Sequence, residues 1–127
     1  MTAMERSSFD HFIGVDISET SIARTSALIE CFGQGGKKSF DLRCMDFLEC
    51  DLPEAGFDAV VMGEVLEHVE RPDVFLEQIA RIAKKGGHIF VTTCINATAV
   101  DHIFLFKDTQ QLEKHLAINV AYVLGEK

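Results

Sequence analysis

The stretch that decides the fold is "FDAVVMGEVLEHVERPDVFLEQIARIAKKGGHIFVTT", residues 57–93. It opens with a continuous apolar run, "FDAVVMG" at 57–63, the sign of a strand buried on both faces. "EVLEHVERPD" then reads as a turn or short helix. Pro72 suits the first turn of a new helix, because its missing N–H would have no partner there anyway. The spacing predicts that this helix carries Phe75, Ile79, Ile82 and Ala83 inward and ends at Lys84-Lys85-Gly86-Gly87. Cations in a last turn also complement the helix dipole. "HIFVTTC", 88–94, reads as the next strand.

Upstream, "HFIGVD" at 11–16 reads as a strand. Ser18 is a good N-cap, and Glu19 favours the first turn of a helix to about Phe32. Ile22, Ala23, Ser26, Ala27 and Ile29 would form its inner face. "GQGG", 33–36, follows a helix and so reads as its cap and loop rather than as a phosphate loop, which sits between a strand and a helix. "SFDLRC", 39–44, alternates as a short strand. "MDFLECDLPEAG", 45–56, reads as a loop with room for one helical turn. Downstream, "DTQQLEKHL" at 108–116 reads as a short helix and "AINVAYVLGEK" at 117–127 as a last strand. Strands alternating with helices imply an α/β, three-layer, mostly parallel sheet. Residues 1–10 read as a tail and 11–127 as a single domain.

Composition narrows the function. The chain has 127 residues, 47% of them hydrophobic, ample for a packed core. Its net charge of −8 repels phosphate backbones, so nucleic acid is a poor partner. The four cysteines, at 31, 44, 50 and 94, lack the C-x-x-C spacing of structural zinc sites. Unpaired thiols and no visible secretory signal fit a reducing, cytoplasmic setting. No apolar run is long enough for a membrane span.

In parallel α/β sheets ligands sit at the carboxyl ends of the strands. At the first tip, Asp16 could accept from both hydroxyls of a ribose or could simply cap a helix. At the second, Asp46 could accept from an adenine amino group with Phe47 beside the ring, or be an ordinary loop acid. At the third, Gly63 allows close backbone approach, and Glu64 and His68, four apart, would share a helix face. His68 could act as a base, its pKa raised by an acid neighbour, or be a surface residue paired with an acid. Asp101 and His102 could face a substrate or cap a short helix. Glu64, His68, Asp101 and His102 form no compact metal-ligand motif, so no metal is expected.

Together "FIGVDIS", "CMDF", "FDAVVMGEVLEHVERPDVFLEQIARIAKKGGHIFVTT" and "TQQLEKHL" resemble class I S-adenosylmethionine-dependent methyltransferases. The resemblance is to the small-molecule branch that includes ubiquinone and menaquinone biosynthesis enzymes. It implies a Rossmann-like methyltransferase sheet, S-adenosylmethionine as cofactor, and methyl transfer to a small-molecule acceptor. It also implies that Asp16 holds the ribose, that Ile17 packs on the adenine, that Asp46 and Phe47 receive the base, and that Gly63 and Glu64 line the methionine path. His68 would be the catalytic base, with Asn96 and His102 on the substrate side. The family's glycine-rich loop lies roughly 20 residues before its ribose acid, whereas 15 residues precede Asp16 here. The resemblance therefore implies a truncated copy without the central strand, or a non-catalytic relic. A second copy or a partner chain would then cover the exposed sheet edges.

Overall fold

The computed structural model describes residues 8–32, 37–94 and 99–103. The predicted elements at 108–116 and 117–127, and Asn96, lie outside the described residues. The chain divides into two compact units, Met1–Cys50 and Asp51–Lys127.

The first unit is a strand–helix–strand motif: β1 (His11–Asp16), α1 (Glu19–Phe32) and β2 (Ser39–Cys44). The strands pair in parallel from His11 opposite Ser39 to Asp16 opposite Cys44. Phe12 stacks on Phe40 directly across the ladder, ring centroids 5.1 Å apart. Ser18 starts the helix as predicted. Its carbonyl accepts from Ile22 N–H at 3.1 Å and its hydroxyl from Ser21 N–H at 3.2 Å. The inner face differs from the sequence expectation. Ile22, Ser26 and Ile29 are half-buried, but Ala23 and Ala27 are exposed and Ser21 and Thr25 turn inward instead. The stripe is centred one residue earlier, which leaves Leu28 and Phe32 more than half exposed.

The second unit repeats the motif with β3 (Phe57–Gly63), α2 (Pro72–Ile82) and β4 (Ala83–Thr92), and a short 3-10 turn at Leu66–His68 follows β3. Its core is Met62, Leu66, Leu76, Ile79, Ala80 and Ile82, with Val60 and Ile89 of the sheet packed against Ala80 and Ala83. Leu76, rather than the expected Phe75, is the fully buried residue of the first two turns; Phe75 is half-buried.

Helix α2 stops at Ile82, two residues before the lysines. Backbone amides from the loop before β3 take its last carbonyls: Ala55 N–H donates to Arg81 at 2.9 Å and Gly56 N–H to Ile82 at 2.8 Å. Ala83 therefore belongs to β4, which begins well before His88. Lys84-Lys85-Gly86-Gly87 bulges out of the ladder opposite Asp58, since Phe57 pairs with Ala83 but Ala59 pairs with His88. Lys84 Nζ reaches Asp58 Oδ1 at 2.9 Å, and Gly86 takes the left-handed φ of 77° that the bulge requires. The continuous apolar run of β3 is covered on one face only. Val60 packs against Ala80 of α2 and Ala83, and Met62 is buried, while Val61 stays 76% exposed beside Phe90 at 57%, with no described element of the unit over them.

Among the described residues β1 pairs with β2 and β3 with β4, each pair parallel. Neither β1 nor β3 has a strand partner on its other edge there.

Leu76→Ala is expected to lower unfolding free energy by about 2–5 kcal/mol in urea titrations followed by circular dichroism, and Leu28→Ala by about 0.5 kcal/mol or less. Gly87→Ala would put its Cβ 2.9 Å from Lys84 O and 3.0 Å from Asp58 O, both backbone atoms. That overpacking is expected to cost about 1–3 kcal/mol by the same measurement.

Candidate functional site

Parallel pairing sets Asp16 and Asp46 at the same end of the β1–β2 sheet, and Met45 N–H continues the ladder to Asp16 O at 3.1 Å. The two acids are built alike. Asp16 Oδ1 accepts from Ser18 N–H at 2.8 Å, and Asp46 Oδ1 from Leu48 N–H at 2.9 Å. Asp46 thereby caps the 3-10 turn Phe47–Glu49. Each carboxylate is thus oriented through one oxygen, and the second has no protein donor among the described residues. An anchored carboxylate of this kind accepts hydroxyl or amino protons with charge-assisted strength. Ile17 is 78% exposed beside Asp16, so an apolar surface is available for a flat ring. Phe47 is half-buried. Asp16 itself does not cap α1: it holds the N–H of Ser18, and the Ser18 hydroxyl makes the cap.

In the second unit the site residues gather beyond the ends of β3 and β4. The chain turns sharply after Gly63: Glu64 adopts a left-handed φ of 52°, and its N–H donates to Thr92 O at 2.9 Å. This turn overturns the helical arrangement of Glu64 and His68. Only Leu66–His68 is helical, and it is a 3-10 turn, so the four-residue spacing sets no common face.

Glu67, which composition alone marks as a surface acid, is 1% exposed. Its Oε2 accepts from the Thr93 hydroxyl at 2.8 Å. The signal in the sequence was its position beside Leu66 in an otherwise apolar turn, where both side chains point inward. Glu64 is exposed and accepts from the Cys94 thiol at 3.3 Å. The Thr92 hydroxyl, then that thiol, hold the Glu64 carboxyl below its usual range. The same carboxylate pushes the Cys94 thiol up.

His68 stands where three groups meet. Its Nδ1 lies 2.9 Å from the Asp101 carbonyl oxygen and 3.6 Å from Asp101 Oδ2, and its Nε2 lies 3.9 Å from Glu67 Oε1. The His102 ring meets it edge-on, centroids 5.2 Å apart. The Asp101 carbonyl raises the His68 pKa, burial opposes it, and the Asp101, Glu67 and Glu64 charges add to the rise. The structure thus brings Glu64, Glu67, His68, Asp101 and His102 together, of which Glu67 was not a predicted site residue.

Ligand atoms of Glu67, His68 and His102 lie within 4.8 Å of one another, as do those of Glu64, Glu67 and Cys94. Contacts within the protein account for both groups, so they are assigned no ion.

Residues 1–91 match the family described as "Methyltransferase domain", and the chain belongs to that family of S-adenosylmethionine-dependent enzymes. It is similar to the ubiquinone biosynthesis O-methyltransferase of Dictyostelium discoideum, 30% identical over 98 residues that cover 72% of this chain and 30% of that protein. It is also similar to the phosphatidylethanolamine N-methyltransferase of Cereibacter sphaeroides, 33% identical over 61% of this chain and 37% of that one. The chain thus spans about a third of the length of these curated relatives. Among solved structures it resembles the cyclase SpnF with a TM-score of 0.69 at 21% identity, covering 84% of this chain and 42% of that one. A Bacillus halodurans protein gives the same TM-score at 18% identity, over 86% of this chain and 52% of that one. The fold is Rossmann-like, α/β, with parallel strands. Among the described residues no helix is long and apolar enough to cross a membrane.

The raised His68 pKa has a stability signature. A group whose pKa rises on folding stabilises fully below its unfolded value, near 6.5, and that stabilisation is lost as pH climbs through the folded value. Denaturation midpoints should therefore fall as pH rises above about 6.5, and His68→Gln should flatten the slope. An unchanged slope in the variant would show that His68 does not titrate across folding.

Proposed function

We propose that this chain is part of an enzyme that transfers a methyl group from S-adenosylmethionine to a small-molecule acceptor. The observation that carries the reading is the pair of like-built acid tips, Asp16 and Asp46, at the carboxyl end of a parallel sheet in a methyltransferase-family chain. The family resemblance and the tip geometry support roles toward the nucleoside. Asp16 accepts from the ribose hydroxyls, Ile17 packs on the adenine, and Asp46 accepts its amino group beside Phe47. The same resemblance supports Gly63 and Glu64 as lining the methionine path. His68, Asn96 and His102 belong to the acceptor side.

In this reaction an acceptor lone pair attacks the sulfonium methyl in line and the thioether leaves, so alignment is the main contribution of the protein. A base is needed only where the acceptor must lose a proton. The relatives' names include both an O- and an N-methyltransferase, which supports the reaction class without choosing the acceptor atom. A second copy or partner chain along the open edges of β1 and β3 belongs to the same reading, supported by their lack of a described strand partner. So does a reducing, cytoplasmic setting, supported by four free thiols.

Calorimetric titration of the full chain with S-adenosylhomocysteine tests the reading. Binding in the micromolar range is expected. Asp16→Ala should weaken it at least about a hundredfold, since two bonds to a charged acceptor contribute about 1.5–3 kcal/mol each. Asp58→Ala, on the Lys84 bulge, should leave binding unchanged. Absence of heat and of thermal shift at millimolar ligand would overturn the proposal.

A further inference from the structure

His68 is surrounded by acceptors, which is a poor environment for a general base. A carbonyl oxygen can only accept, so the 2.9 Å contact with Asp101 O requires a proton on Nδ1. In the neutral ring that leaves the lone pair on Nε2, and Nε2 faces the Glu67 carboxylate at 3.9 Å. Each nitrogen thus has a protein acceptor beside it, Nδ1 at hydrogen-bond distance and Nε2 at 3.9 Å.

The neighbouring backbone makes a matching contact. Ile103 N–H donates to Glu67 O at 2.7 Å, and His102 N–H to Ala99 O at 3.2 Å closes a turn in the same segment. Consecutive residues of the 3-10 turn, Glu67 and His68, therefore grip residues 101 and 103 through one main-chain bond and one side-chain bond. His102 lies between the two gripped positions, its ring edge-on to His68.

We propose that His68 is a positioning residue whose Nδ1–H clasps the Asp101 carbonyl and so seats residues 101–103, with His102 among them, against the tip that follows β3. Its meaning for the acceptor side rests on the methyl-transfer reading; the clasp itself does not. Asp101, Glu67 and Glu64 are the charged groups facing the ring, and His102 is the other titratable one. Their three carboxylates favour a cationic ring, which strengthens a bond to a carbonyl and removes the lone pair a base would use.

Asparagine and glutamine separate the two nitrogens. The amide of Asn places an N–H near the position of Nδ1, and that of Gln near Nε2. Amide hydrogen exchange of His102 and Ile103 should be protected in wild type and His68→Asn. It should be about tenfold faster or more in His68→Gln and His68→Ala. Equal exchange in all four proteins, or His68→Asn exchanging as fast as His68→Ala, would overturn the clasp. The wild-type chain supplies a check that needs no variant. Nitrogen-15 spectra of the histidine rings should show Nδ1 of His68 protonated at neutral pH, whereas an Nε2–H neutral tautomer would overturn the clasp. Titration of His68→Gln with S-adenosylhomocysteine keeps the two readings apart. Loss of protection in His68→Gln with unchanged binding supports the clasp alone, and absent binding in every protein, with protection lost only in His68→Gln and His68→Ala, overturns only the cofactor reading.

Discussion

The tip of the second unit depends on one carboxylate taken out of water, that of Glu67. An isolated buried carboxylate costs several kcal/mol, so it is kept only where donors are built around it. The Thr93 hydroxyl supplies one, which ties the chain leaving β4 to the turn leaving β3. The imidazole edge of His68 lies on its other side. The main-chain carbonyl of the same residue holds Ile103. Two segments distant in sequence, at Thr93 and at Ile103, thus converge on Glu67. Leu66, wholly buried one residue earlier, anchors the turn in the apolar core below. The polar tip and the core are consequently two sides of one short turn.

The first unit solves a different problem. No residue of α1 is fully buried, and the sheet has only two described strands, so packing contributes less rigidity there. Order at its tips comes from the backbone. Asp16 and Asp46 each bind an amide two residues ahead, which fixes the carboxylate before any ligand arrives. A group oriented in advance loses little freedom on binding, and this is how a lightly packed element can still present a defined acceptor.

Much of this was legible in the sequence, and the reasons differ by feature. The four described strands, both helices and both short turns follow from apolar runs, Ser18, Pro72 and glycine punctuation, all of which act within a few residues. The C-terminus of α2 was misread because the lysine and glycine pairs looked like a stop. The true stop is set by amides of Ala55 and Gly56, some 26 residues away, which no local pattern reveals. Val61 was read as buried because an apolar run says how a strand is composed and not what covers it. At the site, residue types were legible, but the seating of Thr93 on Glu67, and of Glu67 and Asp101 around His68, was not. It depends on a left-handed turn at Glu64, where a sequence reader expects glycine.

That turn has a further consequence for anyone improving this chain. A side chain in the left-handed region costs on the order of 1 kcal/mol relative to glycine, so Gly at 64 would relieve strain while deleting the carboxylate that meets Cys94. Selection for thermal tolerance alone would drift toward that replacement. On the proposed methionine-side role of Glu64, position 64 is therefore where screens for robustness and screens for ligand recognition would part company, and a library scored on melting temperature would erase the acid unnoticed.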